Sequence, residues 1–311
     1  MVKFLIGGSP CTHWSVARLA NGERETTPDG VGWELFKNYL IAKEKFKPDF
    51  FLYENNKSAA QAIKDRISYE LGAPLQYINS ALVSAQNRQR FYVHNFGNVP
   101  LPEDRGISFQ DIMERDAEEL KKYKVPRTPS RERMWNNGNG SKIPHSCKNI
   151  THEKKTCCLT TKQDRSSNTG LVAFEDFCRY VTVKEAARLQ TLPDDYCRVV
   201  TKDQAYKALG NGWTAEVIIH LLSYALKDIP KDEEIIVLSM YDGIGTGRYC
   251  FDKLGYHNIK YYAYEIDKYA MQIANSNYKD IIQCGDAFQV RESGWGIETE
   301  EALSLDSGVA L

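Results

Sequence analysis

The sequence predicts an α/β fold built on an open, Rossmann-like sheet. Three observations predict it. Short apolar runs alternate with amphipathic helical segments along most of the chain. Several of those runs end in glycine or in an acid, as in GGSPC (7–11), YEN (53–55), DGIGTG (242–247), YEID (264–267) and GD (285–286). Between about residues 100 and 178 the alternation stops, over a length no ordinary connection needs, which predicts a small inserted domain.

The elements follow in order. Phe4, Leu5 and Ile6 form a buried strand, ended by Gly7 and Gly8. Pro10 stiffens the turn that carries Cys11 at the strand's carboxyl end, where open α/β sheets place ligands. Residues 21–30 are polar and suit a loop. VGWELFKNYLIAKEKF spaces Leu35, Tyr39, Leu40, Ala42 and Phe46 as an amphipathic helix, closed by Lys47-Pro48-Asp49. FFLYENN is a short strand with Glu54 near its carboxyl end. A helix over 58–71 and a strand over 75–82 come next, then the strand-like SAQNRQRFYVHNF, whose Arg88 and Arg90 alternate onto one face. Residues 109–123 predict a helix, and Thr182 with Glu185 a capping box that starts another. LGNGW (209–213) reads as a loop before a strongly apolar helix. A charged linker, 227–234, leads to strand, glycine turn and helix (IIVLSMYDGIGTGRYCFDKLG), then to the strand YYAYEID, a helix over 268–277 and the strand IIQCGD. The acidic, unpatterned tail from 291 is expected to be flexible.

Composition limits the possibilities. A chain of 311 residues, 42% hydrophobic and 26% charged, is a globular protein of one large or two modest domains. No apolar run reaches the roughly 18 residues of a membrane span, and no secretory signal is visible, so a cytoplasmic protein without membrane contact is expected. The eight cysteines are scattered and read as reduced thiols. His145, Cys147, His152, Cys157 and Cys158 lack paired metal-ligand spacing, and no metal is expected. Net charge is −1, yet residues 121–165 hold twelve lysines and arginines against three acids. That is either a solvated face or a surface for a phosphate backbone, and the one-sidedness favours the second.

The turn Tyr241-Asp242-Gly243-Ile244-Gly245-Thr246-Gly247 lets a ligand approach the backbone closely. It is not G-x-G-x-x-G, and no Gly-Lys-Ser/Thr follows it. Glu265 ends the next strand about 20 residues on, where an acid binds ribose hydroxyls, and Asp286 ends the strand after. Each is either a ligand to an adenosine or a helix-capping acid. Together they fit an adenosine without phosphates, S-adenosyl-L-methionine. Cys11 by itself is either a nucleophile or a structural thiol.

These motifs resemble the C5-cytosine DNA methyltransferases, in circularly permuted order. GGSPC, YEN, QNRQR (86–90), RYVTVKEAARLQTLPDDY (179–196) and LGNGW come first; YDGIGTG, YEID and GD come last. The resemblance implies a Rossmann-like S-adenosylmethionine-dependent methyltransferase sheet with an inserted target-recognition domain. It implies double-stranded DNA as partner, bound through 121–165, and a flipped-out cytosine as substrate. Cys11 would attack C6, and Glu54, as a carboxylic acid favoured by burial, would hold and protonate N3. Arg88 would hold O2, with Arg90 supporting less directly. Tyr241, Asp242, Gly243, Ile244, Gly245, Thr246, Gly247, Glu265, Ile266 and Asp286 would line the cofactor pocket, joined by Pro10, Asn211, Trp213 and Thr214. Three positions depart from the common pattern: Ser9 where many members have Pro, Asn56 where Val is common, and Thr246 where many have Gly. Asn136, Asn137, Asn139, Arg131, Arg133 and Lys162 are equally candidates for bases or phosphates.

The expected organisation is 1–92 and 179–230 for the catalytic part, 93–178 for target recognition, 231–290 for the cofactor and 291–311 for the tail. No obligate protein partner is evident. RNA cytosine methylation, or a silent DNA-binding homologue, are the rival expectations.

Overall fold

The computed structural model describes residues 1–15, 24–126, 128–129, 132, 149–163, 169–175 and 177–297. Its strands are β1 (Val2–Gly7), β2 (Phe50–Asn56), β3 (Leu75–Asn79), β4 (Gln89–His94), β5 (Lys124–Val125), β6 (Leu171–Ala173), β7 (Cys178–Tyr180), β8 (Ile235–Met240), β9 (Ile259–Tyr264) and β10 (Ile281–Gly285). Its helices are α1 (Val31–Phe46), α2 (Gln61–Leu71), α3 (Phe109–Ile112), α4 (Ala117–Lys121), α5 (Val183–Leu189), α6 (Lys202–Asn211), α7 (Ala215–Ala225), α8 (Thr246–Lys253) and α9 (Lys268–Asn277). Two compact units result. The first takes Met1–Ile78, Arg90–Pro100 and Ile219–Leu311, and the second takes Asn79–Gln89 and Leu101–Ile218.

The first unit carries a seven-stranded sheet in the order β10-β9-β8-β1-β2-β4-β3. From β10 to β2 every neighbour is parallel, and β4 runs antiparallel to β2. Counted from β8, the order becomes 3-2-1-4-5 with a reversed final pair. That is a doubly wound sheet whose direction of winding switches between β8 and β1. Strands buried on both faces need apolar residues throughout, and FLIG of β1 and VLSM of β8 supply them. Phe36 and Tyr39 of α1 and Ile63 and Ile67 of α2 pack on Leu5, Phe51, Tyr53 and Leu238 in one core.

The predicted helix α1 and strand β2 form over the predicted residues. Lys47 ends α1 in the left-handed region (φ 50°), just before Pro48. Elsewhere side chains override the pattern. The strand expected over 75–82 stops at Asn79, whose Oδ1 accepts from the amides of Ala81 and Arg88 and turns the chain. The single helix expected over 109–123 is two. Met113 is extended, and the Glu114 carboxylate takes the amides of Arg115 and Asp116 that a helix would use. Of LGNGW only Gly212 and Trp213 lie outside helix. The helix α6, started by Thr201 and Gln204, runs through Asn211. Residues 291–297, expected within the flexible tail, include Trp295 and Ile297 packed against the core. Lys45 holds the carbonyls of Val290 and Glu292, and Trp295 Nε1 donates to Tyr264 Oη at 2.5 Å.

The second unit contains an antiparallel sheet, β5-β7-β6. Beside it, Thr182 and Glu185 form the expected capping box, and Arg179 binds Glu185 at 2.8 Å with both side chains wholly buried. Removing either partner strands a buried charge and costs about 3–5 kcal/mol.

Candidate active site

Gly7 of β1 stands opposite Tyr53 of β2, so the turns that follow leave the sheet together. Gly8 makes their approach possible. A Cβ there would lie 2.5 Å from the Glu54 carbonyl oxygen. Ser9 is buried, and its hydroxyl shares a 2.7 Å hydrogen bond with Tyr53 Oη. Asn55 Nδ2 donates to the Ser9 carbonyl at 2.9 Å and to Tyr53 Oη at 3.0 Å. Two of the departures thus have work to do: a proline at 9 could not hold Tyr53, and Asn56 donates to Ser15 Oγ at 3.3 Å and accepts from the Ser58 amide. Pro10 is exposed, and Cys11 opens a one-turn 3-10 helix (Cys11–His13) with its side chain partly exposed. The Cys11 carbonyl takes the amides of Trp14 and Ser15. The thiol is therefore carried on a turn held from both sides.

Asn56 pairs with Arg90 across the antiparallel β2–β4 ladder, so Glu54, Asn56 and Arg90 project from one face. Arg90 Nε lies 2.9 Å from Glu54 Oε1, with both side chains nearly buried. Arg88 does not share that face, because it precedes β4. Its Nη1 donates to Leu159 O and Cys158 Sγ, and its Nη2 to Gly210 O (3.1 Å) and Gly212 O (2.7 Å). Four N–H bonds of this buried guanidinium are committed to the second unit, where they brace the LGNGW turn. Gln190 braces it too, through Leu209 O and Gly212 O. The Thr214 hydroxyl is bound to Ser80 and Gln190, while Asn211 closes α6 and Trp213 is half-buried.

Seen from the glycine turn after β8, the acids are both partners and caps. Glu265 Oε2 accepts from the Gly243 amide at 2.9 Å, and Oε1 accepts from the amides of Ile266 and Asp267. An ionised carboxylate has acceptor sites beyond these. Gly243 has φ +68°, and a Cβ there would meet nothing within 4 Å, so the turn faces open space. Ile266 is 73% exposed beside it. Asp286 is exposed and caps the 3-10 turn Ala287–Arg291 through the Phe288 amide. Asp242 is different. Tyr261 Oη donates to its Oδ1 at 2.6 Å, and its buried Oδ2 has no partner among the described residues. Burial pushes this acid up to about 6, against the hydrogen bonds from Tyr261, Ser239 and Gly245. Ile244, Gly245, Thr246 and Gly247 are buried, so they meet a ligand through backbone at most. The Thr246 hydroxyl, the third departure, has no partner among the described residues.

Four of the six described basic residues of the stretch have partners within the protein. Lys121 and Lys122 pair with Glu118 and Glu119, which lie just before the basic stretch. Lys155 donates to three carbonyls, those of Ala81, Ser84 and Ile107. Lys124 lies 4.0 Å over the Phe177 ring. Arg127, Arg131, Arg133, Asn136, Asn137, Asn139, Lys142, His145, Cys147, Lys148 and Arg165 lie outside the described residues. No cluster of three His, Cys, Asp or Glu able to hold a metal exists among the described residues, and no described helix is long and apolar enough to cross a membrane.

Sequence reasoning missed Tyr53 and Gln190, whose residue types and spacing gave no signal of their hydrogen bonds to the Cys11 and LGNGW turns.

The profile of the C-5 cytosine-specific DNA methylases matches residues 1–122 and 98–227. Type II methyltransferase M.SsoII of Shigella sonnei is 26% identical over 245 residues, covering 70% of this chain and 62% of its own length. Type II methyltransferase M1.ScrFI of Lactococcus lactis subsp. cremoris is 27% identical over 255 residues, covering 74% and 64%. The chain thus spans under two thirds of either relative. Among solved structures, the Dnmt2 methyltransferase of S. pombe superposes with a TM-score of 0.44 at 18% identity, over 58% of this chain and 67% of that one.

Proposed function

The chain belongs to the C-5 cytosine-specific DNA methylases, and on that premise we propose that it methylates C5 of a flipped-out cytosine in double-stranded DNA, as a modification methyltransferase of the type II kind acting in a cytoplasm. The observation that carries the reading is the pairing of β1 with β2, which sets the Cys11 turn against Glu54 and Arg90.

In this reading the Cys11 thiolate adds through Sγ to C6 of the base, and the electron pair released moves toward C5. Glu54 holds N3 and supplies a proton there. Arg90, already on Glu54, holds O2; Arg88 supports the LGNGW turn instead, since its donors are committed elsewhere. S-adenosylmethionine, when bound, supplies the methyl group. Glu265 would accept from the ribose and Asp286 from the adenine, while the open face over Gly243 leaves room for both. After transfer a base removes the C5 proton, elimination returns the Cys11 thiolate, and the N3 proton goes back to Glu54. The sheet order counted from β8 supports a circularly permuted chain, with 227–234 joining what would otherwise be the ends.

Expression in a host lacking cytosine methylation, followed by conversion-based sequencing, tests this. Protected cytosines within one short sequence are expected in DNA. Unprotected DNA with protected RNA would overturn the substrate, and protection in neither would overturn the reaction.

A further inference from the structure

We propose, resting on the reading of residues 241–247 as the cofactor loop, that Asn38 of α1 is a positioning residue for the cofactor, acting through Tyr241 and held by Arg291. Tyr241 opens the loop with φ +61°, a left-handed backbone that side chains rarely adopt. Such a conformation persists only where the surroundings over-determine it. Here Asn38 Nδ2 donates to Tyr241 Oη at 3.0 Å, and Oη donates to the Leu35 carbonyl at 2.8 Å. Asn38 is wholly buried, so both ends of its amide need partners. Its Oδ1 accepts from Arg291 Nε at 2.6 Å. The other Arg291 nitrogens bind the Glu34 carboxylate at 3.1 Å and the Glu34 carbonyl at 2.8 Å.

Arg291 ends the 3-10 turn that Asp286 begins. One amide on α1 therefore ties the turn after β8 to the turn after β10. These are the two places where the proposed reading puts the cofactor. The partners are 203 and 253 residues from Asn38 in sequence, so no local preference arranges them. The same helix begins at the other glycine turn: Glu25 accepts from the Gly32 amide and from Trp14 Nε1. The mechanism gives Asn38 no contact with either substrate, and its geometry gives it a reason to be polar.

The test measures S-adenosylmethionine affinity by calorimetry on the full chain. Asn38→Ala is expected to weaken binding roughly tenfold, as losing one buried hydrogen bond would. Arg291→Ala, at a more exposed position, is expected to weaken it roughly threefold. KM for the cofactor should rise while kcat at saturation and KM for DNA hold. In a Tyr241→Phe background, Asn38→Ala should cost less than about twofold, because the hydroxyl it acts through is gone. Unchanged affinity in both single variants overturns the proposal, as does an equal loss in both backgrounds. Should Asn38→Ala not fold, Arg291→Ala and Tyr241→Phe decide by the same criterion. A wild type that binds no S-adenosylmethionine overturns the underlying reading, and the proposal with it.

Discussion

Two glycine turns leave the sheet from neighbouring strands, one after β1 and one after β8, with Gly7 opposite Met240. They are held by different chemistry. Around Cys11 the holding groups are a serine hydroxyl, an asparagine amide and the Tyr53 phenol, which burial pushes far above the usual range. Around Gly243 they are carboxylates, Glu265 on the amides and Asp242 beneath. The first turn carries Cys11 and is fixed by groups that keep one protonation state. The second is fixed by carboxylates, of which burial raises Asp242 to about 6. Neutral hydrogen bonds set the geometry of the first turn, and carboxylates set that of the second.

Breaking the two turns separately should give separate failures. Cys11→Ala should lower methyl transfer by roughly 10⁴-fold or more, the scale of losing a covalent nucleophile. Cofactor affinity should change less than about twofold in that variant. Calorimetry beside a radiolabel assay checks both. Glu265→Ala should do the reverse, weakening S-adenosylmethionine binding by about 10–100-fold through lost charge-assisted hydrogen bonds. Unchanged affinity would remove Glu265 from the ribose.

Asp242 sharpens the contrast through pH. Its folded value of about 6 lies above the ordinary 3.8, so folding favours the protonated acid. That stabilisation is complete below pH 3.8 and lost as pH rises through about 6. Asp242→Asn, which carries no charge, should therefore gain on wild type between pH 4 and pH 7.5, by up to about 2–3 kcal/mol. Thermal melts across that range measure it, and a difference that stays flat would deny the buried charge. His94 has the opposite sign. Burial lowers it to about 4, so its contribution is full above pH 6.5 and falls away toward pH 4. Comparing variant with wild type at each pH cancels it. The smallest effect belongs to Tyr53→Phe. Losing the hydroxyl that joins Ser9 and Asn55 should cost about 1–2 kcal/mol. Unlike Asp242, it should cost the same at pH 5 and pH 8.

Legibility in the sequence followed the range of the interactions involved. The helix α1, the strand β2 and the Thr182 capping box were readable because each depends on periodicity or on residues three apart. Helix 109–123 misled because Glu114 takes backbone amides, which hydrophobic spacing does not reveal. The charge excess of 121–165 overstates the free basic surface, because Glu118 and Glu119, each three residues before its partner, pair with Lys121 and Lys122. At the site, the residue types were legible and their assignments were not. Arg88 and Arg90 look equivalent two positions apart, yet one is spent on Gly210 and Gly212 and the other meets Glu54.

By itself, then, the sequence determined the alternation of strand and helix, the glycine turns at strand ends, and the motif set that marks a C-5 cytosine methylase. Those are local, written in spacing and residue type. Only the tertiary structure decided which arginine stands beside the acid, that Ser9 and Asn56 hold the Cys11 turn, and that Asn38 reaches Tyr241 and Arg291. Each of those depends on a hydrogen bond a few ångströms long between residues tens to hundreds of positions apart. No pattern along the chain encodes such a distance until the sheet has brought its strands together.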